Sequence, residues 1–308
     1  MLTVLMASRN GARTLAPTLE AFTHLQDPVG GWKLLGVDNA SNDKTSEIFA
    51  AYRKRLPLTI LCEKRLGKNL ALNMALEHAE GDLAVFTDDD VFPHPDWLVQ
   101  LRSTADAQPS YSLFGGAILA RWEIKPPKWV EWVDQAAMFT ITDARLKDGP
   151  STPGTIFGPN MAVRMDVFQR GFRFDPSIGP AGSNYAMGSE SELLERLGRE
   201  GYKAWHVQNA VVEHFVRDFQ LEESYALRRS VRHGRGAYRL HDCRGPEAPV
   251  PWYVFPRMLK RVFQIAKARL VFDEELLFSA KCDLNFEWGQ VFEACRMRRG
   301  RNSLASAS

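Results

Sequence analysis

Apolar and polar positions in the first hundred residues follow two alternating rhythms. Short, mostly apolar runs at 2–7, 33–37, 58–62 and 83–87 read as strands. Between them, residues 14–25, 45–54 and 69–79 carry apolar side chains at helical spacing. A β-α-β-α-β-α-β order with a mainly parallel sheet is the economical topology. Such crossovers are right-handed, and ligands collect at the carboxyl ends of the strands. The residues just after each strand therefore matter most: Ser8-Arg9-Asn10, Asp38-Asn39-Ala40-Ser41, Glu63-Lys64-Arg65 and Asp88-Asp89-Asp90.

Between residues 115 and 154 the rhythm breaks, with Pro126, Pro127, Pro150 and Pro153 and with Trp122, Trp129 and Trp132 among them. This stretch reads as a lid or a substrate-facing insertion. Trp129 and Trp132 are spaced either to stack on the apolar face of a ligand or to pack inward from one helix face. Order returns with 155–164, a helix near Val167, an amphipathic helix at 191–200 stopped by Gly201, and a strand at 203–215. Helices at 222–238 and 253–272 follow, separated by a Pro/Gly linker at 245–251, and the chain closes on a small-residue tail at 303–308.

Composition narrows the class. A chain of 308 residues, 45% hydrophobic and 25% charged, buries one sizeable core or two fused smaller ones, which excludes disorder and disulfide miniproteins. No apolar run approaches the roughly 20 residues that span a bilayer. Met1–Ala7 is apolar but is followed at once by Arg9 and Arg13, so the expectation is a strand, not a leader, and a cytoplasmic chain. Cys62, Cys243, Cys282 and Cys295 show no metal-site spacing. The net charge of +2 hides an asymmetry: residues 1–223 carry 23 Lys+Arg against 29 Asp+Glu, residues 224–308 carry 16 against 8. The last quarter has a role of its own.

Asp88-Asp89-Asp90 is the strongest local signal. Like charges this close raise one another's pKa unless a cation sits among them. A hard divalent ion on oxygen ligands, Mg2+ or Mn2+, would supply it while bridging a substrate's phosphates. The alternative is a solvated acidic turn.

The ordered motifs Ala7-Ser8-Arg9-Asn10-Gly11, Val37-Asp38-Asn39-Ala40-Ser41-Asn42-Asp43, Gly67-Lys68-Asn69-Leu70-Ala71-Leu72-Asn73, the triple Asp and Pro93-His94-Pro95-Asp96-Trp97-Leu98 resemble the family 2 glycosyltransferases of the GT-A fold. The resemblance continues through Gly158-Pro159-Asn160, Gly188-Ser189-Glu190-Ser191-Glu192-Leu193 and Val211-Val212-Glu213-His214, over roughly residues 1–220. It implies an α/β GT-A type nucleotide-binding fold with a mainly parallel central sheet and a basic C-terminal helical extension. The implied division is 1–114 for nucleotide-sugar and metal, 115–223 for acceptor and 224–308 for the extension.

The resemblance also implies roles. Ser8, Arg9, Asp38, Lys68, Asp88 and Asp89 would lie on the nucleotide side, Asp90 and His214 on the metal, and Asn160 against acceptor or donor sugar. For Asp38 a local turn with Ser41 and Asn42 stays open, as a solvated helix-start lysine does for Lys68 and a turn residue for Asn160. The usual Glu-Asp pair is replaced by Ser189-Glu190. Glu190 then falls on the catalytic base position and would be kept ionised by the helix start. Glu192 is its rival, with a Ser189–Glu192 capping box as its structural reading.

The activity implied is metal-dependent, inverting transfer of a sugar from a nucleotide-sugar, UDP favoured by family frequency, to a glycan or lipid-linked glycan. Its place would be cell-surface polysaccharide or glycoconjugate synthesis. Basic helices with large apolar residues within 224–301 suggest peripheral contact with the inner face of the membrane, or packing on a second subunit. Nucleic acid is not expected. Two other classes stay open: a haloacid dehalogenase-like phosphatase using Asp88 and Asp90, and a glycan- or nucleotide-sugar-binding protein without turnover. A dinucleotide-dependent oxidoreductase lacks its glycine motif.

Overall fold

The apolar run at the N-terminus forms β1 (Leu2–Ser8), whose side chains alternate between two cores. The computed structural model describes residues 1–182, 185–243 and 248–305, with side chains as far as Arg298. Part of the 245–251 linker, the Arg299 and Arg301 side chains and the side chains of the 303–308 tail lie outside the described residues. Contacts divide the described chain into two compact units, one built from 1–121, 140–183 and 189–215, the other from 122–139, 184–188 and 216–308.

In the first unit, β2 (Trp32–Asp38), β3 (Leu58–Cys62) and β4 (Leu83–Thr87) join β1 in parallel, in the order β3-β2-β1-β4. Helices α1 (Leu15–Phe22), α2 (Thr45–Tyr52) and α3 (Lys68–His78) make the crossovers. Leu2, Val4, Met6, Leu34 and Val85 share one core with α1, α2 and α4 (Trp97–Ala107). Leu5, Leu35, Val37, Ala84 and Phe86 share the other with α3, α6 (Met165–Gln169) and α7 (Ser189–Arg199). Burial on both faces is why these strands read as continuous apolar runs. Phe86 meets Phe168 and Phe174 edge-on at 5.8 and 5.3 Å.

Beyond β4 the sheet turns antiparallel. β5 (Val91–Pro93), β6 (Leu113–Trp122), β7 (Gly149–Ser151), β8 (Met161–Arg164) and β9 (Ala204–Val216) extend it as β4-β8-β6-β9-β5, with β7 beside β9. The parallel arrangement expected of the sheet thus belongs to its first four strands. The start of the stretch expected to be irregular is β6, a central strand. Register sets Ser8 opposite Asp38 and Met6 opposite Thr87, so β1 and β2 end level and β4 gives way to the acidic turn beside the last residues of β1.

The second unit is helical: α5 (Gln135–Phe139), α8 (Glu223–Ala237), α9 (Val254–Val271) and α10 (Glu274–Ala305). The sequence gives no separate sign of α10, because a helix packed against α8 on one side and α9 on another has no single apolar stripe. α8 and α10 cross closely at Gly234 and Gly289, where a Cβ would collide with Phe286 O and Val231 O. Trp129 is buried against Phe139 and Phe278 at 5.9 and 5.0 Å, and Trp132 lies 6.4 Å from Phe278. Trp129 is therefore core, not a sugar platform. Among the described residues no helix is long and apolar enough to cross a membrane.

Arginines in and just after α8 are not all solvated. Arg235 Nε and Arg239 Nη2 lie 2.7 and 2.6 Å from Glu293, which is 0% exposed and also meets Arg296 at 2.7 Å. Burial raises the Glu293 carboxyl, but the three guanidinium groups outweigh it and lower it to about 2. A folded-state value below the unfolded one gives stability that is present above about pH 4.5 and lost as pH falls towards 2. Acidification through that window should therefore unfold the helical unit, read by circular dichroism. Glu293→Ala, which strands buried arginines, should cost about 3–5 kcal/mol in denaturant melts at neutral pH.

Candidate active site

Three carboxylates in a row at the end of β4 would repel one another, and the fold sends each to a different partner. Asp88 Oδ1 is 2.7 Å from Lys68 Nζ. Asp89 Oδ2 accepts from the Ser8 hydroxyl, and Thr18 Oγ1 donates to its carbonyl at 3.1 Å. Asp90 Oδ1 faces His214 Nε2 at 3.5 Å. Val91 is in register with His214, and Phe215 N donates to Asp90 O at 2.9 Å, so β5 and β9 fix that last pair.

Lys68 opens α3, and its ammonium reaches a second acid, Glu190 Oε1, at 2.7 Å. Its side chain is 18% exposed, those of Asp88 and Glu190 23% and 21%. The lysine is aimed by neighbouring asparagines. Asn39, at the end of β2, donates to Glu63 O and Arg65 O at 3.1 and 2.7 Å and accepts from Gly67 N at 2.9 Å. Asn69 donates to Asp175 O and Ile178 O at 2.7 and 2.9 Å, and Asn73 exchanges hydrogen bonds with the Phe174 backbone. Glu190 lies on the first turn of α7 over Gly158, where any Cβ would strike its carboxylate.

The electrostatics separate the two acids. Burial opposes charge on Lys68, but Asp88 and Glu190 together hold its proton firmly and raise its pKa. Asp88 is raised by burial, reinforced by Asp90 and Glu190 and only partly relieved by Lys68. In Glu190 the burial penalty is outweighed by Lys68, so its pKa falls below the usual carboxylate range. Glu190 is thus ionised at neutral pH. Lys68, more than the expected helix start, is the cause.

Glu192 turns away to Arg196 Nε at 2.8 Å and forms no capping box with Ser189, which is itself the first residue of α7. Asp38 is buried and accepts from Ser41 N at 3.0 Å and from the Ser46 hydroxyl, so the turn to Ser41 is present, while Asn42 N donates instead to Asn10 Oδ1 at 3.0 Å. Arg9 is exposed on the loop after β1. Asn160 corrects its expectation. It is 0% exposed, accepts from Trp97 Nε1 at 2.8 Å, and donates to Ala117 O and Ala210 O at 2.9 and 2.7 Å. Both amide hydrogens are used inside the protein, so Asn160 is a clasp joining α4, β6 and β9, not a sugar contact. Neither Asn39 as a clasp nor Gly158 as the floor under Glu190 is legible in the local sequence.

A parallel four-strand half with acids at its carboxyl edge, extended by antiparallel strands, is the architecture of the GT-A fold. The chain belongs to the family described as glycosyl transferase family 2, whose model matches residues 3–172, and it is a glycosyltransferase. That sets aside the phosphatase reading. It is 25% identical over 266 residues, 85% of this chain and 78% of the relative, to "Glycosyltransferase AglE" of Haloferax volcanii. A "Glucosyl-dolichyl phosphate glucuronosyltransferase" of the same organism is 22% identical over 194 residues, 60% of this chain and 59% of the relative. Among solved structures, a mannosyltransferase, PcManGT, from Pyrobaculum calidifontis in complex with GDP-Man and Mn2+ superposes with a TM-score of 0.57 at 21% identity, over 99% of this chain and 79% of that one. The fold is shared.

Two outcomes test this geometry. Asn160→Ala leaves one donor and two carbonyls unsatisfied in the core and should cost on the order of 3 kcal/mol in denaturant melts. Lys68→Met removes the cation that depresses Glu190. The Glu190 carboxyl should then titrate at higher pH than in the parent protein, read by NMR of its carboxyl carbon.

Proposed function

We propose that this protein moves a sugar from a nucleoside diphosphate sugar to an acceptor hydroxyl in one inverting displacement, with Mg2+ or Mn2+ at Asp90 and His214. The observation that supports the reading is the Lys68-bridged pair of Asp88 and Glu190 beside the acidic turn, a carboxylate held ionised near the end of β4 where a base would serve. The acceptor hydroxyl gives its proton to Glu190 as its oxygen bonds to the anomeric carbon, and the bond from that carbon to the diphosphate breaks with its electron pair leaving on the nucleotide.

The donor set suits a divalent ion. One carboxylate oxygen and one imidazole nitrogen 3.5 Å apart are close to the roughly 3 Å between adjacent ligands of a small dication. Among the described residues no group of three or more His, Cys, Asp or Glu could hold a metal, so substrate oxygens and water would complete the shell. When bound, the ion would neutralise charge on the departing diphosphate. Ser8, Arg9, Asp38 and Asp89 border the nucleoside end of the site. Asp88 stays with Lys68, close to the ribose.

For the acceptor, the relative named for a glucosyl-dolichyl phosphate substrate supports a lipid-linked glycan, and with it a cytoplasmic enzyme at the inner membrane face making cell-surface glycoconjugates. The nucleotide base and the sugar are set by the same experiment. In a thermal-shift panel, one among UDP-, GDP- and dTDP-sugars should raise the melting temperature only with Mn2+ or Mg2+ present. Asp90→Ala should abolish that shift. Glu190→Gln should keep it while lowering turnover by about 10²–10⁴-fold. A donor that binds equally well without a dication would overturn the metal assignment.

A further inference from the structure

Helix α9 carries an apolar face that no described part of the protein covers. Trp252, just before it, and Phe255, Leu259, Val262, Phe263 and Leu270 are 51–81% exposed. Trp252, Phe255, Leu259, Phe263 and Leu270 recur at intervals of three, four and seven residues, with Val262 beside them, so they form one stripe. The opposite side is the packed one. Val254 and Ala268 are buried there, and Arg261 and Arg257 turn to Asp283 and Glu287 of α10 at 3.2 and 4.0 Å. The stripe runs into Val271 and Phe272, the latter 90% exposed with a left-handed backbone at φ 53°.

Charge selects the occupant. On the helical wheel, Lys260 and Lys267 flank one edge of the stripe and Arg269 the other, all exposed, and α9 contains no Asp or Glu. Two copies pairing through this face would set these cations against the same cations, since a two-fold contact is self-complementary. A helix of 18 residues is about 27 Å long, and its charges exclude spanning. Lysines at the border of an apolar stripe can lay their stems on it and lift their ammonium groups to phosphate level. Most basic residues in and just after α8 are held inside the protein: Arg235 and Arg239 by Glu293, and Arg229 by Ala137 O, to which it donates at 3.0 Å.

We propose that the exposed face of α9 lies flat on an anionic lipid surface, its apolar stripe at acyl-chain level and Lys260, Lys267 and Arg269 on the headgroups. This narrows the membrane contact expected of the whole 224–301 region to one helix, and it stands independently of the catalytic reading.

The test is co-sedimentation of the full-length protein with phosphatidylcholine vesicles, with and without phosphatidylglycerol, at low and high salt. The protein should sediment with the anionic vesicles and be released by salt. Lys260→Glu with Lys267→Glu should weaken partitioning at least about thirtyfold, the loss expected from two lysines near an anionic surface. Leu259→Glu with Phe263→Glu should abolish it. Both variants change only exposed side chains, and unaltered melting curves would confirm folding. Equal binding to neutral vesicles, or anionic binding indifferent to both variants, overturns the proposal. So does a concentration-dependent dimer in sedimentation equilibrium that only the Leu259/Phe263 variant disrupts, which would assign the face to a second copy. Donor-induced thermal shifts in the same preparations report the catalytic site separately, so failure of one reading is distinguishable from failure of the other.

Discussion

The ammonium of Lys68, shared at 2.7 Å between Asp88 and Glu190, is the contact on which the site depends. Glu190 and the three aspartates lie in one largely buried region, and burial penalises each as an anion. A single cation cannot neutralise four charges. It can decide which one ionises most readily: at Glu190 Lys68 outweighs burial, whereas at Asp88 burial, Asp90 and Glu190 outweigh Lys68. Asp89 and Asp90 are relieved by different means, a hydroxyl and an imidazole. The triplet thus functions as three separate acids placed by one turn.

Aiming a lysine on α3 at a glutamate 122 residues away demands a stiff frame, and asparagines supply much of it. Asn39, Asn69 and Asn73 each bond to backbone of a neighbouring loop, while Asn160 ties α4, β6 and β9 together. An amide serves here because it donates and accepts at once without adding charge to a site already crowded with carboxylates. The local sequence does not reveal this use. An Asn in a loop looks the same whether it faces substrate or backbone, and only the burial of Asn160 separates the two.

The parallel half of the fold was legible because its strands are buried on both faces and its helices on one, patterns that hydrophobic periodicity reports directly. The acidic turn was legible for a similar reason, since three acids after an apolar strand have few structural uses. Less was legible where tertiary packing overrides local pattern. β6 was hidden by Gly115 and Gly116, which look like loop residues yet leave room for Ile156 and Asn160 in a central strand. α10 was hidden by being packed on two sides. The Lys68–Glu190 pair was invisible because sequence spacing carries no information about contacts made at such separation.

The positive charge of the last quarter divides into two populations once the helices are in place. Glu293 gathers Arg235, Arg239 and the half-exposed Arg296 around one buried carboxylate, and these attractions offset its desolvation and that of Arg235 and Arg239. Those cations hold helices together and are unavailable to a partner. On α9 the balance differs: Arg257 and Arg261 are matched by acids of α10, while Lys260, Lys267 and Arg269 border apolar side chains that have no described neighbour to cover them. Composition alone assigns all these residues one property, an excess of charge. Burial of the counter-ion separates them, because a guanidinium facing a buried carboxylate contributes little to the field outside the protein, whereas an ammonium at the edge of an exposed stripe contributes nearly all of it.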